Sequence, residues 1–248
     1  TIRLRGTRSV VDEMEYYVKN FGVRQIKFWD DLFTFDRKRV FEICDEIHRR
    51  ELKVTWMVAS RIDTVNDDML KAMASAGCWC ILYGIESAVE KNQKMIRKNL
   101  DLSRARETIQ LTHKHGIRSF ATFILGIPGE TYEEGLETIK FARKLNAYYT
   151  EFFTFTPFPG SPVYEDIDKY GVMDGELCKT GMHLMGFVPY SMKRSELARL
   201  CTQAYKSFYM RPRYVIRQVM AIRSWVDAQN LLRGGMAITN MFLGKHHG

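Results

Sequence analysis

Two adjacent carboxylates, Asp30 and Asp31, close the short apolar run QIKFWDD at residues 25–31. Like charges this close are costly to hold together unless a cation or an ammonium group lies near. The pair is therefore a candidate contact for a positively charged ligand. A strand alternates its side chains, so one of the two is expected to point inward. The competing reading is a loop leading into a helix capped by Thr34 or Asp36. A third carboxylate, Glu86, ends the run CWCILYGIES at residues 78–87. It could accept two hydrogen bonds from a sugar diol, or it could simply open the next helix. Ser60 and Arg61 end KVTWMVASR at 53–61, where the arginine fork suits either a bound carboxylate or a surface ion pair. In FILGIPGET (123–131), Gly126 and Gly129 allow a tight bend and a close approach of backbone to ligand, and Pro128 stiffens the bend. An ordinary strand-to-helix turn would use the same residues.

Other chemistry-bearing residues are less pointed. Cys78 and Cys80, two apart on a strand, would face the same way. The spacing is unusual for zinc, and buried cysteine behaves as a small hydrophobe, so a core position fits better. The remaining cysteines of the five are Cys44, Cys178 and Cys201. An odd, scattered set excludes a disulfide framework and suits a reducing cytoplasm. His113 and His115 fall at a helix end; His246 and His247 fall at the terminus and carry no assignment.

The elements that must position these residues follow from one repetition. Five apolar runs end in polar residues and glycine: 25–31, 53–61, 78–87, 118–130 and 149–160. Helix-like stretches separate them, which is the pattern of βα units and a parallel sheet. Ligands of such sheets gather at the C-terminal strand ends, where the polar clusters stand. Near-continuous apolar strands predict helices over one face and a packed interior on the other. Helix signals agree: Val40, Ile43, Cys44 and Ile47 keep i, i+3, i+4, i+7 spacing. Asn66 reads as an N-cap, Thr131 and Glu134 as a capping box, and Gly22, Gly77 and Gly116 as helix stops. Ser9 with Asp12 predicts a first helix over 9–20.

At 248 residues the chain can bury a sizeable core as one domain with an appendage. A hydrophobic content of 46% is ordinary for a globular protein. No apolar run approaches a membrane span, and no signal-peptide pattern opens the chain. The net charge of +8 is uneven. Residues 187–248 hold ten Lys/Arg and two acids, whereas the first 186 balance at 27 against 27. Residues 1–164 are thus expected to form the strand-and-helix body and 165–248 a basic, mainly helical extension. In the extension Val215, Val219, Ile222 and Val226 form an apolar stripe, with Arg213 and Arg217 on the far side. Packing of that stripe onto the body is the common outcome; contact with a membrane surface is the alternative.

Taken in order, WDDLFTFDRKRVFEIC, SRID, MLKAMASAGC, YGIES, the lysine of MIRKN, FILGIPGETYEEGLETIKFA and TPFPGSPVY resemble the radical S-adenosylmethionine (SAM) superfamily, and within it the branch joined to a cobalamin-binding domain. The resemblance runs from about Arg3 to Tyr164. It implies an α/β fold, a partial (β/α)6 TIM-like barrel missing its first strand. It also implies SAM and a 4Fe–4S cluster as cofactors, cobalamin through a domain elsewhere, and an electron donor such as flavodoxin or ferredoxin. On this chain Asp30 or Asp31 would meet the methionine amino group. Ser60, Arg61 and Glu86 would line the ribose or carboxylate side, with Ser87 and Lys98 nearby. Ile127 and Pro128, beside Gly126, would back the adenine. The C-x-x-x-C-x-x-C motif that holds the cluster in this family does not occur in the chain. The cluster cysteines are therefore expected upstream of Thr1, and the chain alone is expected to be inactive.

The expected chemistry is radical generation on SAM, with hydrogen abstraction, cyclisation or methyl transfer on a small-molecule or lipid-like substrate. A cluster-less barrel acting as a binding protein is the alternative from another class. RNA modification through the basic tail is disfavoured, because aromatics and cations are not interleaved there.

Overall fold

The computed structural model describes residues 3–173, 186–222 and 225–242. Cys178, His246 and His247 lie outside the described residues, and nothing is described of the Val226 side chain. The chain alternates helix and strand: α1 (Thr7–Phe21), β1 (Gln25–Lys27), α2 (Arg37–Arg49), β2 (Thr55–Ser60), α3 (Asp67–Ser75), β3 (Cys78–Glu86), α4 (Glu90–Met95), α5 (Ala105–Lys114), β4 (Arg118–Leu125), α6 (Tyr132–Leu145) and β5 (Tyr149–Thr154). These five strands form one parallel sheet in the order β1-β2-β3-β4-β5, the parallel sheet expected from the repetition and the partial TIM-like barrel that the resemblance implied. Then come α7 (Pro162–Glu165), an antiparallel pair β6 (Gly171–Met173) and β7 (Phe187–Pro189), and three helices. These are α8 (Arg194–Tyr209), α9 (Pro212–Met220) and α10 (Trp225–Phe242).

The chain divides into two compact units. The first comprises 1–86, 99–122 and 145–150; the second comprises 87–98, 123–144 and 151–248. In the first, β1 pairs with β2 and β2 with β3, in parallel register from Gln25 opposite Thr55. Its core holds Trp56, Ile43, Met69, Leu70, Met73 and Tyr83, all essentially inaccessible. Two of its large buried side chains satisfy their polar atoms: Trp56 Nε1 donates to the Ala76 carbonyl at 2.7 Å, and the Tyr83 hydroxyl meets Thr112 at 2.8 Å. His115 reaches Asp67 at 2.9 Å and His113 reaches Ser119 at 2.7 Å, so both are tethers at the end of α5. In the second unit, α8 buries Leu197, Leu200, Ala204 and Phe208.

The expected caps at Asn66 and Thr131 form. Asn66 accepts from the Met69 amide, and Thr131 exchanges hydrogen bonds with Glu134. Asp36, not Thr34, caps α2. Gly77 takes φ +94°, and a Cβ there would lie 2.5 Å from the Val54 carbonyl oxygen, so the turn into β3 admits no side chain.

Three expectations need correction. The first helix begins at Thr7 with Gly6 as N-cap, not at Ser9. The Ser9 hydroxyl sits inside the helix and meets Arg5, while Asp12 pairs with Arg50 at the C-cap of α2. Second, β2 and β5 do not bury both faces; buried and part-exposed positions alternate along them. Third, the apolar stripe of α9 does not pack inward: Val215 and Val219 are exposed, as is Ile222 beyond the helix end.

Candidate functional site

In the first unit, β1 ends at Lys27, so Asp30 and Asp31 lie in the turn beyond it and strand alternation does not govern them. Both are exposed. Asp30 stands 3.5 Å from Arg39, whose nearly buried guanidinium also lies over the Phe33 ring. Asp31 has no partner among the described residues. The apposed acids are thus separated in role: one leans on an arginine of α2, and the other is open to solvent.

Ser60 ends β2 and is buried. Its hydroxyl sits 2.5 Å from Thr34 and 3.2 Å from Thr64, and those two lie 2.6 Å apart. This hydroxyl triangle ties the β1 turn to the β2 end. Arg61 points its fork at Asp63, at 2.9 and 2.7 Å, an interaction that raises its already high pKa. Glu86, the last residue of β3, has φ +67°. A side chain other than Gly or Asn rarely accepts that left-handed backbone, and such residues cluster at ligand sites. Asp30, Asp31 and Glu86 therefore stand beyond the same ends of β1 and β3, with β2 between them.

In the second unit a buried polar network organises the turn after β4. Glu130 is fully buried. One carboxylate oxygen accepts from the Gly126 amide at 2.5 Å and the Ile127 amide at 3.3 Å; the other accepts from Asn92 at 3.0 Å. Burial pushes its carboxyl up to about 7, against the pull of the two amides. Ser191 donates to the Glu130 carbonyl at 2.5 Å. Ser87, also fully buried, shares hydrogen bonds with Thr138, Asn92 and the Val89 amide. Lys91 meets the Gly129 carbonyl and Glu134. Gly126 has φ +77°, and a Cβ would come 3.1 Å from Leu197 of α8. Ile127 and Pro128 are buried beside it. Lys98 is half-buried, with its amide on the Gln93 carbonyl at 2.9 Å.

Glu130, Asn92, Thr64 and Thr138 hold no role in the sequence reading, and Thr34 only that of a possible cap, yet they fix the turns that carry the expected site residues. Glu130 had one signal: a carboxylate just after a Gly-Ile-Pro-Gly turn can reach back to that turn's own amides. The others had none.

The described residues do not suit an iron–sulfur cluster. Among them no three His, Cys, Asp or Glu side chains come together as a metal site. Cys44, Cys78 and Cys80 are buried and Cys201 is half-buried. Burial lifts Cys44, Cys80 and Cys201 to about 12 and Cys78 well above its usual value, so each stays a protonated thiol.

Residues 1–142 match the Radical SAM superfamily. An uncharacterized methyltransferase of Pyrococcus horikoshii is 32% identical over 88% of this chain and 48% of its own. The anaerobic magnesium-protoporphyrin IX monomethyl ester cyclase of Rubrivivax gelatinosus is 32% identical over 84% of this chain and 38% of its own. The chain thus spans half or less of the length of these relatives. Among solved structures, the cobalamin-dependent radical enzyme OxsB, with aqua-cobalamin and SAM bound, superposes with a TM-score of 0.67. It is 15% identical and covers 93% of this chain and 41% of its own. The methyltransferase TsrM of Kitasatospora setae, with tryptophan and a SAM analogue, gives 0.63 at 20% identity, over 78% and 39%. The likeness to these two structures is one of fold, whereas the sequence match covers more than half of the chain. The chain belongs to the radical SAM superfamily.

Proposed function

We propose that this chain is the SAM-binding portion of a radical SAM enzyme that carries out methyl transfer or cyclisation at a poorly reactive carbon of a small-molecule or lipid-like substrate. Residues 1–164 supply the binding strands and 165–248 the extension. The observation that carries the reading is the set of strand-end carboxylates: Asp30 and Asp31 beyond β1 and the left-handed Glu86 ending β3, on a chain of this family.

A 4Fe–4S cluster, which no described residue of this chain would hold, would supply the electron for radical chemistry on SAM, and cobalamin would supply methyl-carrying chemistry. The residues of this chain bind and orient. Asp31, open to solvent, and Asp30, steadied by Arg39, face the methionine ammonium. Glu86 accepts from the ribose hydroxyls, and its fixed backbone limits where the carboxylate can swing. Arg61 lends its fork to the ligand carboxylate in exchange for Asp63. In the second unit the Glu130 clamp on the Gly126 and Ile127 amides fixes the turn after β4, where Ile127 and Pro128 are buried and offer little side-chain surface to a ligand. Ser60 and Ser87 act at one remove, by fixing the strand ends. No step is assigned to the described cysteines. Cluster ligands and a cobalamin module would come from elsewhere in the proposed enzyme, and an electron donor such as flavodoxin or ferredoxin would be a separate partner.

The test is anaerobic reconstitution of the full-length protein with iron and sulfide, then assay for 5′-deoxyadenosine and for methylated product. Calorimetry with SAM should show Asp31→Asn and Glu86→Gln each weakening binding about tenfold, the order expected for one charge-assisted hydrogen bond. A reconstituted protein that binds SAM but never cleaves it or transfers its methyl group would instead favour a non-catalytic binding barrel.

A further inference from the structure

Helix α9 is built the wrong way round for a packed helix. Its sequence, PRYVIRQVM, is amphipathic at helical spacing. The residues turned toward the rest of the second unit are Tyr214, Arg217 and Gln218, all partly buried. Tyr214 meets the rings of Phe208 and Tyr209 at 5.6 and 5.0 Å, and Arg217 lies over the Tyr214 ring at 5.2 Å. Arg211, just before the helix, donates to the carbonyls of Phe208 and Arg143 at 2.8 Å. These contacts fix the polar and aromatic side inward. The apolar side then faces out: Val215, Ile216, Val219 and Met220 are 48%, 58%, 53% and 80% exposed. On α10, Trp225, Leu232 and Met236 share one helix face and are also exposed.

Charge identifies the occupant. From residue 197 to residue 226 the sequence holds six Lys/Arg and no Asp or Glu. Arg213 is exposed at the edge of the α9 apolar face. A second copy of this chain would bring the same positive stretch against it, so self-association works against electrostatics. A surface that is apolar beneath and anionic on top satisfies both halves of the helix. No described helix is long and apolar enough to cross a bilayer, so the contact is one of lying in the interface. We infer that the outward face of α9, with Arg213 at its edge, seats this protein on an anionic lipid surface.

The experiment is co-sedimentation of the purified full-length protein with vesicles of equal parts phosphatidylglycerol and phosphatidylcholine, and with phosphatidylcholine alone. The protein should pellet with the anionic vesicles at low salt, release at high salt, and stay soluble with the neutral ones. Ile216→Glu and Met220→Glu should each lower the partition coefficient by about tenfold or more. Arg213→Gln should lower it by about fivefold. Because these side chains are exposed, circular dichroism and the melting temperature should not change. Failure to bind anionic vesicles at low salt overturns the inference, as does undiminished binding by the two glutamate variants. A dimer in size-exclusion chromatography that Met220→Glu dissociates, without vesicle binding, would assign the face to a second copy instead. Vesicle binding that competes with an acidic protein partner at equal salt dependence, but survives loss of the apolar side chains, would also overturn it.

Discussion

Glu130 is buried among its own turn's amides, and burial lifts its carboxyl to about 7 from an ordinary 4.5. Between those values the folded protein keeps a proton that the unfolded chain has lost. The stability it contributes is complete below pH 4.5 and disappears as pH rises through 7. Urea unfolding across that range should show the decline, and Glu130→Gln should flatten it. Glu130→Ala, which strands the Gly126 and Ile127 amides, should cost about 1–3 kcal/mol at low pH. Glu86 offers a different comparison. Glu86→Ala keeps the left-handed backbone and its strain, whereas Glu86→Gly removes it. Thermal unfolding should find the glycine variant more stable by about 1 kcal/mol, while both lose affinity for SAM. The strand-end carboxylates were legible in sequence because they follow apolar runs directly. Asn92 was not, because its partner Glu130 stands 38 residues away and only folding brings them together.

Elements were legible where a local signal is unambiguous. Asn66 before two acids and an apolar turn marks α3, and Asn66→Ala should cost about 1 kcal/mol in chemical denaturation. Gly77→Ala should cost more, about 2–4 kcal/mol, since it adds a collision with the Val54 carbonyl to the strain of a positive φ. The start of α1 was misread because Ser9 and Asp12 match a capping-box spacing, whereas the chain starts the helix two residues earlier with Gly6, and no side chain, as its N-cap. The length of β1 was overread for a related reason: apolar residues continue to Trp29, but pairing with β2 is regular only to Lys27. Trp29 is 84% exposed with Lys27 across its face, so the last apolar residues of the run serve the turn, not the sheet.

At the scale of the molecule, the βα repetition carried the sheet order, because parallel neighbours in sequence become neighbours in space. The outward face of α9 was not legible. A helical wheel shows that two faces differ, not which one the tertiary structure covers, and Tyr214 decides that only once Phe208 and Tyr209 are in place. The cysteines carry a practical consequence. Since Cys44, Cys78 and Cys80 are buried and protonated, a maleimide should leave them unlabelled in native buffer and modify them in urea, which mass spectrometry can count. During iron loading these same thiols make a silent background. Metal retained by the native protein is held by other residues, whereas metal taken up only after partial unfolding reports an opened core, so alkylation run alongside iron titration separates a genuine cofactor from an artefact.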